Sequence, residues 1–195
     1  MTPQGIVRLG IETIASPRGV ARLLLSLRLP REAVVLGFVL TLVLNALLYS
    51  ISLMMATDVP VAGLLASPVA LMGMRAIALL ILMASFTYVG RLFGGRARFS
   101  EVMLLMVWLQ VLGVLAQVAL TLLSPVAANL AALLAFAASA LGAWITSGFL
   151  DEAHDFNNAI KAVSVLVLGV IASAVGLAIL LNLVGFEPSE ITGYV

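Results

Sequence analysis

Five long apolar segments, separated by short polar stretches, dominate the chain. They lie at about residues 33–56, 69–93, 102–124, 126–150 and 160–184. A helix needs about 20 apolar residues to cross a hydrocarbon core about 30 Å thick, and each segment reaches that length. None shows the alternating polarity of a barrel strand of about 10 residues. The pattern therefore predicts an all-α, polytopic membrane protein that folds as a bundle of five transmembrane helices.

The 32 residues before the first apolar segment contain a second kind of pattern. The stretch RGVARLLLSLRL follows Pro17 and places Val20, Leu23, Leu24 and Leu27 on one helical face. This predicts an N-terminal amphipathic helix, with proline at its start. One interpretation places it in the headgroup layer, where its arginines contact the membrane surface and anionic lipid: Arg18, Arg22 and Arg28. The other makes it a cytoplasmic cap packed on the bundle.

Composition supports the membrane assignment and removes several kinds of chemistry. The chain is 63% hydrophobic and 10% charged, whereas soluble domains are about 45–50% apolar and about 25% charged. It contains no cysteine, which excludes disulfides, thiolate metal sites and a cysteine nucleophile. Its arginine-rich, alanine-rich and leucine-rich usage favours a bacterial source.

Basic residues are distributed unevenly over the predicted loops. The lead-in carries five arginines, the second loop three and the fourth loop Lys161, whereas the opposite side has only Arg75. Lysine and arginine near span ends mark the cytoplasmic side. We therefore expect a bacterial inner-membrane protein with a cytoplasmic lead-in over residues 1–32, a membrane domain over 33–184 and a short periplasmic tail over 185–195.

The segment DEAHDFNNAIK, residues 151–161, begins with the four letters of a helicase box. Such a box works with a phosphate-binding loop that supplies a lysine and a serine or threonine. The nearest match is GRLFGGRA, residues 90–97, with Arg96 and Ala97 at those two positions and a membrane helix before it. This excludes an ATPase. Gly94 and Gly95 are better interpreted as the C-terminal stop of the second span.

The same segment offers weak candidate metal ligands. Asp151, His154 and Asp155 stand at i, i+3 and i+4, so they would share one face if the fourth span continued. We favour a structural connector, with Asp155 or Asn157 capping the fifth span. Similarly, Ser100 is a candidate cap for the third span. No catalytic residue and no cofactor is predicted.

Polar residues inside the spans are few. Arg75 is expected to extend outward, toward Asp58, and Gln110 and Gln117 share one helical face. Such amides usually bond between helices. The alternative is a row of Gln110, Gln117 and Asn129 around a water-filled cavity, as in a small transporter or channel subunit. A repeat of small residues makes the fourth span a candidate centre of the bundle, with the fifth against it: Ala127, Ala131, Ala135, Ser139, Ala143 and Ser147.

Three segments in order carry a family resemblance: SPRGVARLLLSL, RARFSEVMLLMVWLQ and WITSGFLDEAHDFNNAIKAV. Together they resemble the Yip1 family of five-span membrane proteins, in a bacterial form. The resemblance implies a cytoplasmic N-terminus and no enzymatic activity. Eukaryotic relatives act in vesicle traffic with small GTPases, but the lead-in here is short and a GTPase partner is not expected.

Taken together, these features predict a non-enzymatic membrane-organising scaffold or partner-binding protein. Its expected partners are the lipid bilayer and either a second copy of the chain or another membrane protein, with no nucleic acid. The transporter or channel subunit is the alternative. A metal-dependent membrane enzyme at the fourth loop is a third hypothesis.

Overall fold

The computed structural model describes residues 3–55, 68–124 and 126–183. In these ranges the chain forms seven α-helices: α1 (Pro3–Ala15), α2 (Pro17–Ser26), α3 (Arg31–Met55), α4 (Pro68–Leu92), α5 (Phe99–Leu123), α6 (Ala128–His154) and α7 (Ala159–Leu183). Five of them, α3 to α7, are long and apolar enough to cross a membrane. At 1.5 Å per residue, 25 residues extend about 38 Å. The predicted all-α bundle of five apolar helices is confirmed.

The lead-in contains two helices where the sequence indicated one. The predicted amphipathic helix is α2, which begins at Pro17 and buries Val20, Ala21 and Leu24. These side chains pack with Leu105 of α5 and Phe149 of α6. The preceding helix α1 was not predicted from the sequence.

Helix α6 lies against α1, α2, α4, α5 and α7. Its burial is concentrated in the last turns, whereas Ser139 and Ala143 of the small-residue repeat are exposed. The repeat therefore does not pack along its whole length. In α7, Gly169 and Gly176 face α4, where the ring of Phe86 occupies the space that a side chain at Gly169 would need. Helix α7 also lies against α6, as expected for the fifth span.

One end of the bundle collects α2, the C-termini of α4 and α6, and the N-termini of α5 and α7. We call it the arginine-rich end, defined by Arg18, Arg22, Arg91, Arg96 and Arg98. Asp58 and residues 184–195 lie outside the described residues.

The helix ends at this side are closed by local hydrogen bonds. Gly94, at φ 85°, ends α4, and the Gly95 N–H donates to the Gly90 carbonyl at 2.9 Å. This is the Schellman arrangement, as predicted for the glycine pair. The two predicted N-caps were wrong. Glu101 accepts from the Arg98 N–H at 2.7 Å at the start of α5. Asn158 accepts from the Ile160 N–H at 3.0 Å at the start of α7.

Candidate functional site at the arginine-rich end

The last turn of α6 carries the segment DEAH, residues 151–154, and α6 ends directly after it. Asp155 adopts a left-handed conformation at φ 56°, and the Phe156 N–H donates back to the Asp151 carbonyl at 3.1 Å. Aspartate tolerates this conformation better than most residues. Asp155 therefore ends the helix.

His154 is enclosed by the end of α4 and the loop that follows it. The side chain is 1% exposed. A Cβ at either Gly90 or Gly95 would collide with the imidazole ring. The ring also stacks on Phe156, with centroids 5.0 Å apart. Only glycine leaves room for the ring at these two positions, so both glycines serve His154 and not a phosphate.

The backbone of the loop after α4 bonds to His154 at two atoms. Nδ1 accepts from the Ala97 N–H at 3.4 Å, and the His154 carbonyl accepts from the Arg96 N–H at 3.4 Å. Since Nδ1 accepts a hydrogen bond, it carries no proton. Nε2 is buried without a hydrogen-bond partner among the described residues. His154 thus ties the α4–α5 loop to α6.

Asp151 joins three elements. Its side chain is 3% exposed, and Oδ2 forms an ion pair with Arg18 Nε of α2 at 2.6 Å. Oδ1 accepts from the Asn158 N–H at 3.0 Å, just before α7. A buried carboxylate is stable only when it is paired and hydrogen-bonded, and both conditions are met here.

Glu152 extends the contact with α2. Its two carboxylate oxygens accept from Arg22, Nε at 2.8 Å and Nη2 at 3.0 Å. This hydrogen bonding and the opposite charge raise the pKa of Arg22 above its ordinary value. Arg22 therefore remains charged at neutral pH, and its contribution would be lost only at still higher pH.

The weak metal candidates do not converge. Asp151 is held by Arg18 and Asn158, His154 lies in the glycine cradle, and Asp155 accepts from Asn157 at 3.1 Å. Within residues 3–55, 68–124 and 126–183, no group of three histidine or carboxylate side chains could hold a metal ion.

The three arginines expected at the membrane surface fall into two groups. Arg18 and Arg22 turn toward the carboxylates of α6, although 52% and 74% of their side chains stay exposed. Arg28 is exposed and left-handed at φ 44°, where the chain turns from α2 toward α3. The packing of α2 on α5 and α6 supports the cap interpretation, and the exposed parts of the guanidinium groups remain accessible from outside.

Two tryptophans attach α1 to the bundle. Trp108 Nε1 donates to the hydroxyl of Thr13 at 3.0 Å, and Thr13 is completely buried. Trp144 Nε1 donates to the Ile14 carbonyl at 3.3 Å. These contacts connect α1 to α5 and α6.

The polar residues within the spans line two separate depressions. Arg75 lies with Asn45 and Tyr49 beside a cavity of about 390 Å³ between α3, α4 and α7. Gln110 and Gln117 line a groove of about 600 Å³ between α1, α5 and α6. Asn129 is exposed and does not line this groove. The polar row that would favour a transporter is therefore incomplete, and the rest of the groove lining is mainly apolar.

Comparison with known proteins agrees with the bundle. No curated protein and no solved structure matches the chain. The Yip1 domain matches residues 11–180, from within α1 to near the end of α7, and thus includes all five apolar helices and the cluster around Asp151 and His154. The chain belongs to the Yip1 domain family.

Proposed function

We propose that this chain is a non-enzymatic scaffold that organises the membrane or holds a protein partner through its arginine-rich end. The observation that carries the proposal is the use of the polar groups of residues 151–154. Asp151 and Glu152 hold α2, and His154 holds the loop after α4. A reactive site needs groups that face a substrate, whereas these groups connect elements of the protein itself.

The same contacts favour a rigid surface for binding. Residues 15–32, 91–101 and 151–161 contain eight basic and five acidic residues, a net charge of +3. The ion pairs and hydrogen bonds fix α2 across this end, which leaves an ordered basic surface. Such a surface attracts anionic lipid and acidic protein segments.

We place this end on the cytoplasmic side of a bacterial inner membrane. Support comes from the excess of basic residues in the lead-in and in the α4–α5 loop, because such residues favour the cytoplasmic side. The C-terminal tail is then periplasmic. The composition, rich in arginine, alanine and leucine, supports the bacterial assignment.

The scaffold proposal is tested by crosslinking in the native membrane, followed by mass spectrometry of the neighbours. The wild-type chain should give a reproducible set of protein or same-chain neighbours. Glu152→Arg should lose much of that set, because it repels Arg22 and detaches α2. The exchanged pair Arg22→Glu with Glu152→Arg should recover it. A neighbour set that is unchanged by Glu152→Arg would contradict the proposed role of this end.

A second measurement separates the scaffold from the other two hypotheses. The purified full chain, reconstituted in vesicles, should show no solute flux above that of empty vesicles. Asp151→Asn and His154→Gln should change the stability of the protein. Neither substitution should abolish a metal-dependent reaction, because none is expected. Solute flux that depends on Gln110 or Gln117 would replace the scaffold proposal with a transporter, and turnover would replace it with an enzyme.

A further inference from the structure

A small polar pocket lies at the arginine-rich end, where the corner between α1 and α2 meets α6 and α7. Its volume is about 270 Å³, and residues from all four helices line it. Ser16 and Arg18 come from the corner, Trp144 and Ser147 from α6, and Ala159 and Ala162 from α7. It is separate from the buried surroundings of His154.

Close packing places Arg18 over this pocket. A Cβ at Gly148 would come within 2.7 Å of the Pro17 side chain. Glycine at this position therefore lets Pro17, and with it the first turn of α2, approach α6. Ala159 and Ala162 have short side chains, so the α7 side of the pocket stays open.

The pocket offers hydrogen-bond donors that the fold does not use. Arg18 is paired with Asp151 through Nε, and a guanidinium carries five N–H donors in all. About half of its side chain is exposed, whereas Asp151 beneath it is buried. The Ser16 hydroxyl forms no hydrogen bond among the described residues, and Ser147 donates to the Trp144 carbonyl at 2.8 Å. The outer face of Arg18 therefore presents positive charge to the pocket.

The position of the pocket indicates the source of the anion. Trp144 is 57% exposed, and its ring borders the pocket near the end of an apolar span. Tryptophan favours the level of the lipid headgroups, where phosphate is the common anion. Arginine binds phosphate through two parallel N–H bonds.

We propose that this pocket binds the phosphate group of an anionic phospholipid, with Arg18 and Ser16 as donors and Trp144 beside the glycerol region. The inference rests on the proposed membrane role and gives it a ligand. The net positive charge of the arginine-rich end raises the local concentration of anionic lipid. The pocket then selects one lipid molecule for a fixed position between α2, α6 and α7.

Native mass spectrometry of the full chain tests this directly. The detergent-solubilised protein is mixed with equal amounts of phosphatidylglycerol and phosphatidylcholine that have the same acyl chains. The adduct with one bound lipid should favour phosphatidylglycerol by about fivefold, the effect of one basic residue at a membrane surface. Arg18→Gln should reduce the ratio to near one. Arg8→Gln, which removes an equal charge from the exposed surface of α1, outside both the pocket and the arginine-rich end, should leave most of the preference.

A second pair of variants covers the case in which Arg18→Gln disturbs folding. Ala159→Leu fills the pocket without removing an ion pair and should abolish the preference, whereas Ala174→Leu on the exposed face of the same helix should not. Equal losses in Arg18→Gln and Arg8→Gln, or a full preference in Ala159→Leu, would show that the pocket does not bind the lipid. If added inorganic phosphate displaces the lipid, the proposal that a lipid occupies the pocket is wrong. Neither result bears on the crosslinked neighbours, so the scaffold proposal stands or fails separately.

Discussion

The imidazole ring of His154 lies directly against the backbone of Gly90, in the space that any larger residue at position 90 would fill. Gly95 faces the ring in the same way from the loop. The α4–α5 loop, through two hydrogen bonds, and the end of α6 are therefore joined through one buried side chain. The contact therefore depends on close packing of the ring against the two glycines as well as on its hydrogen bonds.

Gly90→Ala should destabilise the protein by about 1–3 kcal/mol, the usual cost of adding a methyl group to a well-packed interior. The expected measurement is a lower midpoint of thermal unfolding in detergent. Combining it with His154→Ala should remove most of the additional loss, because the ring with which the new methyl collides is then absent. Additive losses in the double variant would show that the contact is not the cause.

Gly113→Ala provides the control for this substitution. A Cβ at Gly113 meets nothing within 4 Å, and alanine favours a helix interior over glycine by about 1 kcal/mol. Its unfolding midpoint should be unchanged or higher. If Gly113→Ala lowers the unfolding midpoint as much as Gly90→Ala does, replacing glycine by alanine destabilises these helices whether or not the new methyl group meets His154.

Asp151→Ala should lower the free energy of unfolding by about 1–3 kcal/mol, because it removes the partly buried hydrogen bond from the Asn158 N–H to a carboxylate. The ion pair with Arg18 adds less than its short distance suggests, since Arg18 is half exposed and can turn to water. Hydrogen exchange should also increase at the start of α7. Glu152→Gln changes a carboxylate of the same turn whose partner is the exposed Arg22, and its effect should be clearly smaller.

The five-helix bundle could be predicted because it depends mainly on a local property of the sequence, the length of each apolar segment. Apolar length alone sets the five spans, and the glycine pair at 94 and 95 marks the end of α4. The predicted N-caps were wrong because several neighbouring polar residues can each cap the same helix end. Asp155 adopts the left-handed conformation that ends α6, and the side chain of Asn158 caps the start of α7 instead. Helix α1 was missed although Val7, Ile11 and Ile14 are spaced as one helical face.

The candidate site could be located but not interpreted from the sequence. The only histidine and two acidic residues identified the segment around residue 151. Their partners are far away along the chain, as Arg22 and Glu152 are separated by 130 positions. Such pairs depend on how α2 packs on α6, which no local pattern contains. The glycines at 90 and 95 likewise acquire their role only when the end of α6 approaches.

Thr13→Val should loosen α1 while leaving the bundle folded. Valine has nearly the shape of threonine, but it leaves Trp108 Nε1–H without its acceptor at an expected cost of about 1–3 kcal/mol. Hydrogen exchange over residues 3–15 should become faster, and α5 should be unaffected. Thr121→Val, on α5 but 13 residues beyond Trp108, is the matched control. Equal exchange in the two variants would show that the tryptophan bond does not hold α1.

Single cysteines in this cysteine-free chain test the orientation. Five spans place the two ends on opposite sides, and the basic residues predict that the arginine-rich end is cytoplasmic. In the proposed bacterial inner membrane, Asn157→Cys should therefore react with a membrane-impermeant thiol reagent only after that membrane is opened. Glu190→Cys should react in intact spheroplasts. Labelling of both from the same side would contradict five spans, whereas the reverse pattern would keep the bundle and invert its orientation.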